Sequence, residues 1–206
     1  LNVRSVEVLA YWIGRRRDCH LIQISTDQLY DGDGPHEEDV VDIVNVYALS
    51  KYTGELAARP AGATVLRTNF FGPAAGASKS SFSDWVLDKL RKQEAITAFD
   101  DVAFSPLLMN TLGKALHRVM ELPTAGVFNL GSRKGCTKAD FIFAIANHAR
   151  LDTSMVTRGT QAQLNLRARR PENMVMDSSK FEREFGFELP TTEHEINGLE
   201  LTDEPG

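Results

Sequence analysis

Residues 45–68 read NVYALSKYTGELAARPAGATVLRT, and the fold turns on this stretch. YALSKYTGELAAR has the composition of a helix, and ATVLRTNFF (63–71), closed by Gly72-Pro73, reads as the strand that follows it. Upstream, HLIQIST (20–26) is a short apolar run bounded by polar residues, which predicts a buried strand. Strand, helix and strand in succession argue for an α/β domain with a largely parallel sheet. Ligands of such sheets bind beyond the carboxyl ends of the strands, which marks the loops after LIQIS and after TVLRT.

Working outward, NVRSVEVLAYWIGRRR (2–17) spaces Val3, Val6, Leu9, Ala10 and Ile13 as a helix with Gly14 near its stop. The arginines that follow suit a helix end, where cations complement the dipole. DGDGPHEED (31–39) is turn chemistry, read as a solvated acidic loop, and GPAAGA (72–77) as a flexible one. SFSDWVLDKLRKQ (81–93) predicts an amphipathic helix with Phe82, Trp85, Val86 and Leu90 inward. AITAF (95–99) and GVFNLG (126–131) predict strands, and LLMNTLGKALHRVMEL (107–122) a helix. TKADFIFAIANHAR (137–150) predicts a helix capped by Thr137, and SSKFEREFGF (178–187) a short one ended by Gly186. The regularity loosens after about residue 75. Residues 1–75 are therefore expected to form part of the main sheet. Residues 76–206 should form mainly a smaller, mixed portion covering one end of it, with some segments returning to the sheet.

Composition narrows the function. A chain of 206 residues with 42% apolar and 25% charged residues buries a real core, and a net charge of −5 gives no reason to expect nucleic acid or an anionic membrane. No apolar run approaches bilayer length. Cys19 and Cys136 lie far apart without metal-type spacing, which suits a reducing cytoplasm, and the histidines form no metal constellation.

Tyr47 and Lys51 stand four residues apart on the predicted helix and so share a face. A phenol titrates near ~10, and an adjacent ammonium stabilises the phenolate; the spacing suits a general acid for a carbonyl being reduced, or a base for an alcohol being oxidised. Four tyrosines and eight lysines give roughly 0.16 such pairs by chance, so the pair gains weight only in company. Ser25-Thr26, at the end of the preceding strand, supplies that company. Thr26 could orient the same substrate oxygen or cap a turn.

ISTDQLYDG, NVYALSKYTGE, VLRTNFFG and RRPENMVMDSSKFEREFG follow one another as in the extended short-chain dehydrogenases/reductases, and within them the chain resembles the dTDP-4-dehydrorhamnose reductase family. The resemblance spans nearly the whole chain. It implies a Rossmann-type doubly wound parallel sheet, NADPH or NADH as cofactor, a nucleotide-sugar substrate and a smaller C-terminal portion, and it allows a homodimer. By the resemblance Thr26, Tyr47 and Lys51 are catalytic, with Tyr47 the donor to the sugar C4 oxygen. Tyr47, Lys51, Asn69 and Phe70 would touch the cofactor. Thr26, Asp27, Asn69, Phe70, Ser105 and Arg170 would touch the sugar nucleotide, Arg170 at its diphosphate.

The chain departs from the family at several points. Gln28, Phe70 and Leu107 stand where tyrosine, tryptophan and threonine are common. No G-x-x-G-x-x-G loop occurs in these residues, and the chain opens on a segment matching the helix before the catalytic strand. If the 206 residues were the whole protein, weak dinucleotide binding and an exposed sheet edge would be expected. Two other roles stay open: a nucleotide-sugar epimerase or dehydratase, although Asp27 has no glutamate beside it, and a non-catalytic binding subunit.

Overall fold

The computed structural model describes residues 2–16, 18–74, 80–163 and 167–201. Part of the loop expected at 72–77, Arg17 and the last five residues lie outside them. In chain order the elements are α1 (Arg4–Ile13), β1 (Ile22–Ile24), α2 (Val46–Ala58), β2 (Thr64–Thr68), β3 (Phe70–Phe71), α3 (Phe82–Arg91), β4 (Ile96–Phe99) and β5 (Ala103–Phe104). After these come β6 (Leu107–Leu108), α4 (Met109–Glu121), β7 (Gly126–Leu130), β8 (Cys136–Thr137), α5 (Lys138–Ala149), β9 (Val156–Gly159), β10 (Asn173–Met174), α6 (Ser179–Phe185) and α7 (Thr192–Asn197).

The main sheet has the order β1-β2-β7 and is parallel throughout, with Ile24 opposite Leu66 and Thr68 opposite Leu130. Every residue of β2 is buried, as a central strand covered on both faces requires. Alternation sends Val65 to one face, where it meets Val6, Ala10, Leu21 and Ala58 of the α1–α2 side. Leu66 points to the other face, among Leu112, Ala115 and Val119 of α4 and Phe181 and Phe185 of α6. The result is a three-layer α/β sandwich. β1 was expected to be buried, but at the edge of this sheet its three residues are only half-buried.

In α1 only Val6 and Ala10 are buried and Leu9 is exposed, so the stripe facing α2 is narrower than the sequence spacing suggests. The two helices touch closely where Gly54 passes the carbonyl of Asn2: a Cβ there would sit 2.5 Å from that oxygen. Arg15 donates to the carbonyl of Tyr11 and lies over its ring, the helix-end role expected of the basic cluster.

A second core gathers around Phe104, Phe141, Ile145 and Val86, between α3, α5 and α7. It supports the small sheets β4-β9, β10-β5-β8 and β3-β6. α3 starts at a full capping box between Ser81 and Asp84, and α5 at Thr137, whose hydroxyl accepts from Asp140 N–H. Trp85, expected inward on α3, stays partly exposed and stacks on Phe82. α6 ends at Gly186 with φ +58°, a conformation that glycine adopts without strain. The short strands and α7 were not legible as elements in the sequence. The ladder bonds of the short strands are made to segments distant in the chain.

Candidate active site

The carboxyl end of β1 delivers Ser25, Thr26 and Asp27. The Ser25 amide donates to the carbonyl of Leu66 at 2.7 Å, carrying the strand one step beyond its ladder. Thr26 then turns the chain: its Oγ1 accepts from the Gln28 amide at 3.2 Å and donates to Asp27 Oδ1 at 3.3 Å. Thr26 is 5% exposed, so the hydroxyl expected to orient a substrate also caps a buried turn. Asp27 Oδ2 accepts from Asn69 Nδ2 at 2.7 Å, which joins the ends of β1 and β2 in one polar cluster.

α2 opens at Asn45, whose side chain accepts from the Ala48 amide at 2.8 Å and donates to the carbonyl of Arg169 at 3.2 Å. Tyr47 follows, 47% exposed, and among the described residues its hydroxyl has no hydrogen-bond partner. One turn later Lys51 reaches back to the sheet, its Nζ donating to the carbonyl of Ile24 at 2.6 Å. Burial draws the Lys51 ammonium below its ordinary pKa, and Glu55 opposes the shift. The Tyr47–Lys51 face of α2 is thus held at the carboxyl end of β1, beside Thr26 and Asp27.

Beneath it lies a network that sequence reading did not reveal. Arg67 of β2 and Glu55 of α2 are both fully buried and paired at 2.8 Å. Ser25 Oγ donates to the same carboxylate, and Arg67 Nη1 donates to Tyr30 Oη at 2.8 Å. Tyr30 in turn donates to Asn129 Oδ1 at 2.6 Å. The signal was an arginine in the interior of a strand buried along its whole length, which calls for a buried countercharge.

The remaining expected residues divide. Phe70 is 45% exposed, an apolar plate at the end of β2. Ser105 is fully buried; its Oγ accepts from the Met176 amide at 3.2 Å and its carbonyl from the Ser132 amide, so both polar atoms bond within the fold. Arg170 is exposed, and its charge acts on Lys138. Its neighbour Arg169 pairs instead with Asp31 at 2.7 Å. Asp31 is therefore no solvated loop residue. Burial pushes its carboxyl pKa up, but the amides of Glu172, Gly32 and Asn173 and the Arg169 charge outweigh this and leave it lowered. Glu38 is likewise engaged, accepting from the Asn129 amide at 2.8 Å. These two contacts correct the reading of 31–39 as a solvated run.

Burial dominates the electrostatics of the cluster. It raises the Asp27 pKa to about 6, against the lowering effects of Asn69, Lys138 and Thr26. It lowers that of Lys138 to about 8, against Asp27 and Cys136, with Arg170 adding to the fall. Lys138 was missed by sequence reading, although a lysine at the first residue of a helix opposes the dipole and so invites a reason. The Cys136 thiol is pushed up to about 12 by burial and is inert beside this pair. Among the described residues no cluster of His, Cys, Asp and Glu could hold a metal ion, and no helix is long and apolar enough to cross a membrane.

The residues at hand fit the nicotinamide–ribose half of a dinucleotide. Lys51 keeps two of its three donors after bonding Ile24, the Tyr47 hydroxyl is free among the described residues, and Phe70 is an exposed ring.

Comparison with known proteins places the chain in a family. Residues 1–200 match the model of the RmlD substrate binding domain. The chain is similar to a dTDP-4-dehydrorhamnose reductase of Sinorhizobium fredii, 27% identical over 197 residues, or 87% of this chain and 64% of that protein. It is equally similar to methionine adenosyltransferase 2 subunit beta of Danio rerio, 27% identical over 192 residues, or 88% of this chain and 58% of that one. It thus spans less than two thirds of the length of either. A solved dTDP-4-dehydrorhamnose reductase from Clostridium acetobutylicum superposes with TM-score 0.83 at 21% identity, covering 96% of this chain and 70% of that one. One from Bacillus anthracis, in complex with NADP, superposes with TM-score 0.81 at 20% identity, covering 95% and 70%. With the parallel sheet, the helix-borne Tyr47 and Lys51 and the Thr26 turn in place, the chain belongs to the RmlD substrate-binding-domain family.

Proposed function

We propose that this chain carries the proton-transfer and substrate side of an NAD(P)H-dependent reductase acting on the 4-keto group of a nucleotide-activated deoxy sugar. The carrying observation is the Lys51–Ile24 bond of 2.6 Å, which holds the Tyr47 helix face against the end of β1. A nicotinamide, when bound, supplies the hydride. Lys51 offers its free donors to ribose hydroxyls and its charge to the phenol. Tyr47 holds the proton that the carbonyl oxygen takes up as it becomes a hydroxyl. Asp27 and Asn69 brace Thr26 at the same end of the sheet. The names of the similar reductases support the substrate class, and the free thiols Cys19 and Cys136 fit a cytoplasmic setting.

The test is Tyr47→Phe, assayed with NADPH and a dTDP-4-keto-6-deoxyhexose. The expected result is a fall in turnover of about 10²–10⁴-fold with NADPH affinity retained. Near-normal turnover would sink the assignment. A second reading, a binding subunit without turnover, is favoured by the equal likeness to the Danio rerio subunit. Assaying a dTDP-4-keto-6-deoxyhexose with NADPH separates the two: turnover supports the reductase, and binding of the sugar nucleotide without turnover supports the subunit.

A further inference from the structure

Ser25 is the residue beside this site whose side chain the proton-transfer scheme leaves without a task. It lies buried between Ile24 and Thr26. The peptide group that joins it to Ile24 is bonded on both sides. Its N–H donates to the carbonyl of Leu66 on β2 at 2.7 Å. Its carbonyl, that of Ile24, accepts from Lys51 Nζ at 2.6 Å and from Gln23 Nε2 at 3.0 Å. The Ser25 hydroxyl adds a further link to α2, donating to Glu55 Oε1 at 2.5 Å.

That carboxylate is a fixed point. Arg67 Nε and Nη2 donate to it at 3.0 and 2.8 Å. Arg67 Nη1 is itself held by Tyr30 Oη at 2.8 Å and by the carbonyl of Glu38 at 2.9 Å. The two buried charges are matched within the pair, so an alanine in place of Ser25 would leave the ion pair whole. What the hydroxyl adds is geometry. Lys51 and Glu55 stand one turn apart on one face of α2, about 6 Å along its axis, and both bond the end of β1. The flexible stem of Lys51 lets its ammonium follow a small rotation of the helix. The short serine link to an immobile carboxylate does not. A rotation of about 10° carries a side-chain tip about 5–6 Å from the axis through about 1 Å. Tyr47 lies one turn before Lys51 on the same face and would move with it, and a misplacement of about 1 Å can cost about 10²-fold in rate.

Resting on the reductase reading, we propose that Ser25 is a positioning residue: through Glu55 it sets the rotation of α2 on the end of β1 and so keeps Tyr47 and Lys51 in register with Thr26.

The experiment compares the full chain with Ser25→Ala and Ser25→Thr by two readouts, once circular dichroism has shown each to be folded. The first is NMR of the lysine side-chain ammonium groups. In the unmodified protein Lys51 should give a slowly exchanging signal, identified by its loss in Lys51→Met, and in Ser25→Ala its exchange should quicken by about tenfold or more. The second is turnover of a dTDP-4-keto-6-deoxyhexose with NADPH: kcat should fall about 10–10²-fold in Ser25→Ala while KM for the sugar nucleotide stays within about twofold. Ser25→Thr keeps the hydroxyl and should retain most of both. Unchanged Lys51 exchange or unchanged kcat in Ser25→Ala overturns the proposal, even if that variant is less stable. So does an equal loss in Ser25→Thr, which assigns the effect to packing, and so does a Lys51 signal that exchanges fast in the unmodified protein. If the unmodified chain does not turn over, the reductase reading fails, and the exchange of Lys51 still decides whether Ser25 positions it. Should Ser25→Ala not fold, Ser25→Cys, with a weaker donor of similar size, takes its place.

Discussion

Asp27 shows how one side chain can take its character from its surroundings. In the sequence it is an aspartate after a threonine; in the structure it is 1% exposed and titrates at about 6. The sign of the linkage follows. Between about 4 and 6 the native state holds a proton that the unfolded chain has lost, so stability falls as pH rises through that window. Relative to Asp27→Asn, the unmodified protein should lose on the order of 2 kcal/mol between pH 4 and pH 7. Urea unfolding of both proteins at several pH values measures this, and parallel pH profiles would refute it. Tyr47 and Lys51 were legible because helical spacing alone puts them on one face. For Thr26 the sequence left two readings open, because a turn cap and a substrate contact call for the same hydroxyl, and the structure shows the cap.

At the scale of the element, α2 is positioned by three anchors. Asn45 caps it and holds Arg169, Lys51 bonds the end of β1, and Glu55 pairs with Arg67 inside β2. The third is the strongest constraint, because both charges are removed from water and each needs the other. Glu55→Gln should destabilise the chain by about 3–5 kcal/mol, since the buried guanidinium is left without a countercharge. Glu55→Leu combined with Arg67→Met should cost clearly less than the sum of the single changes. Chemical denaturation of all three variants decides it, and simple additivity would show the pair uncoupled. A similar long-range device starts α4, which has no side-chain cap of its own. Glu195 of α7 accepts from the Leu108 amide and, at 2.7 Å, from Thr111 Oγ1. No local pattern announces a cap supplied from 87 residues away.

Over the whole molecule, the main sheet is not closed by the first part of the chain. β7 pairs with all five residues of β2, and α4 and α6 cover the face bearing Leu66. A chain ended after residue 75 should therefore not fold: it loses a strand and one entire layer, including Phe181 and Phe185. Near-UV circular dichroism and amide NMR dispersion test this, and a cooperatively unfolding 75-residue piece would contradict it. Strand–helix alternation, the start of α5 at Thr137, the end of α6 at Gly186 and the Tyr47–Lys51 face could all be read from residues within a turn or two of one another. Periodicity and capping act over that range, so the sequence alone determined them. The Arg67–Glu55 pair, the Asp31–Arg169 tether and the bond between Asp27 and Asn69 were decided only by the tertiary structure. Burial sets their electrostatics, and burial depends on which distant segments exclude water from the same few ångströms.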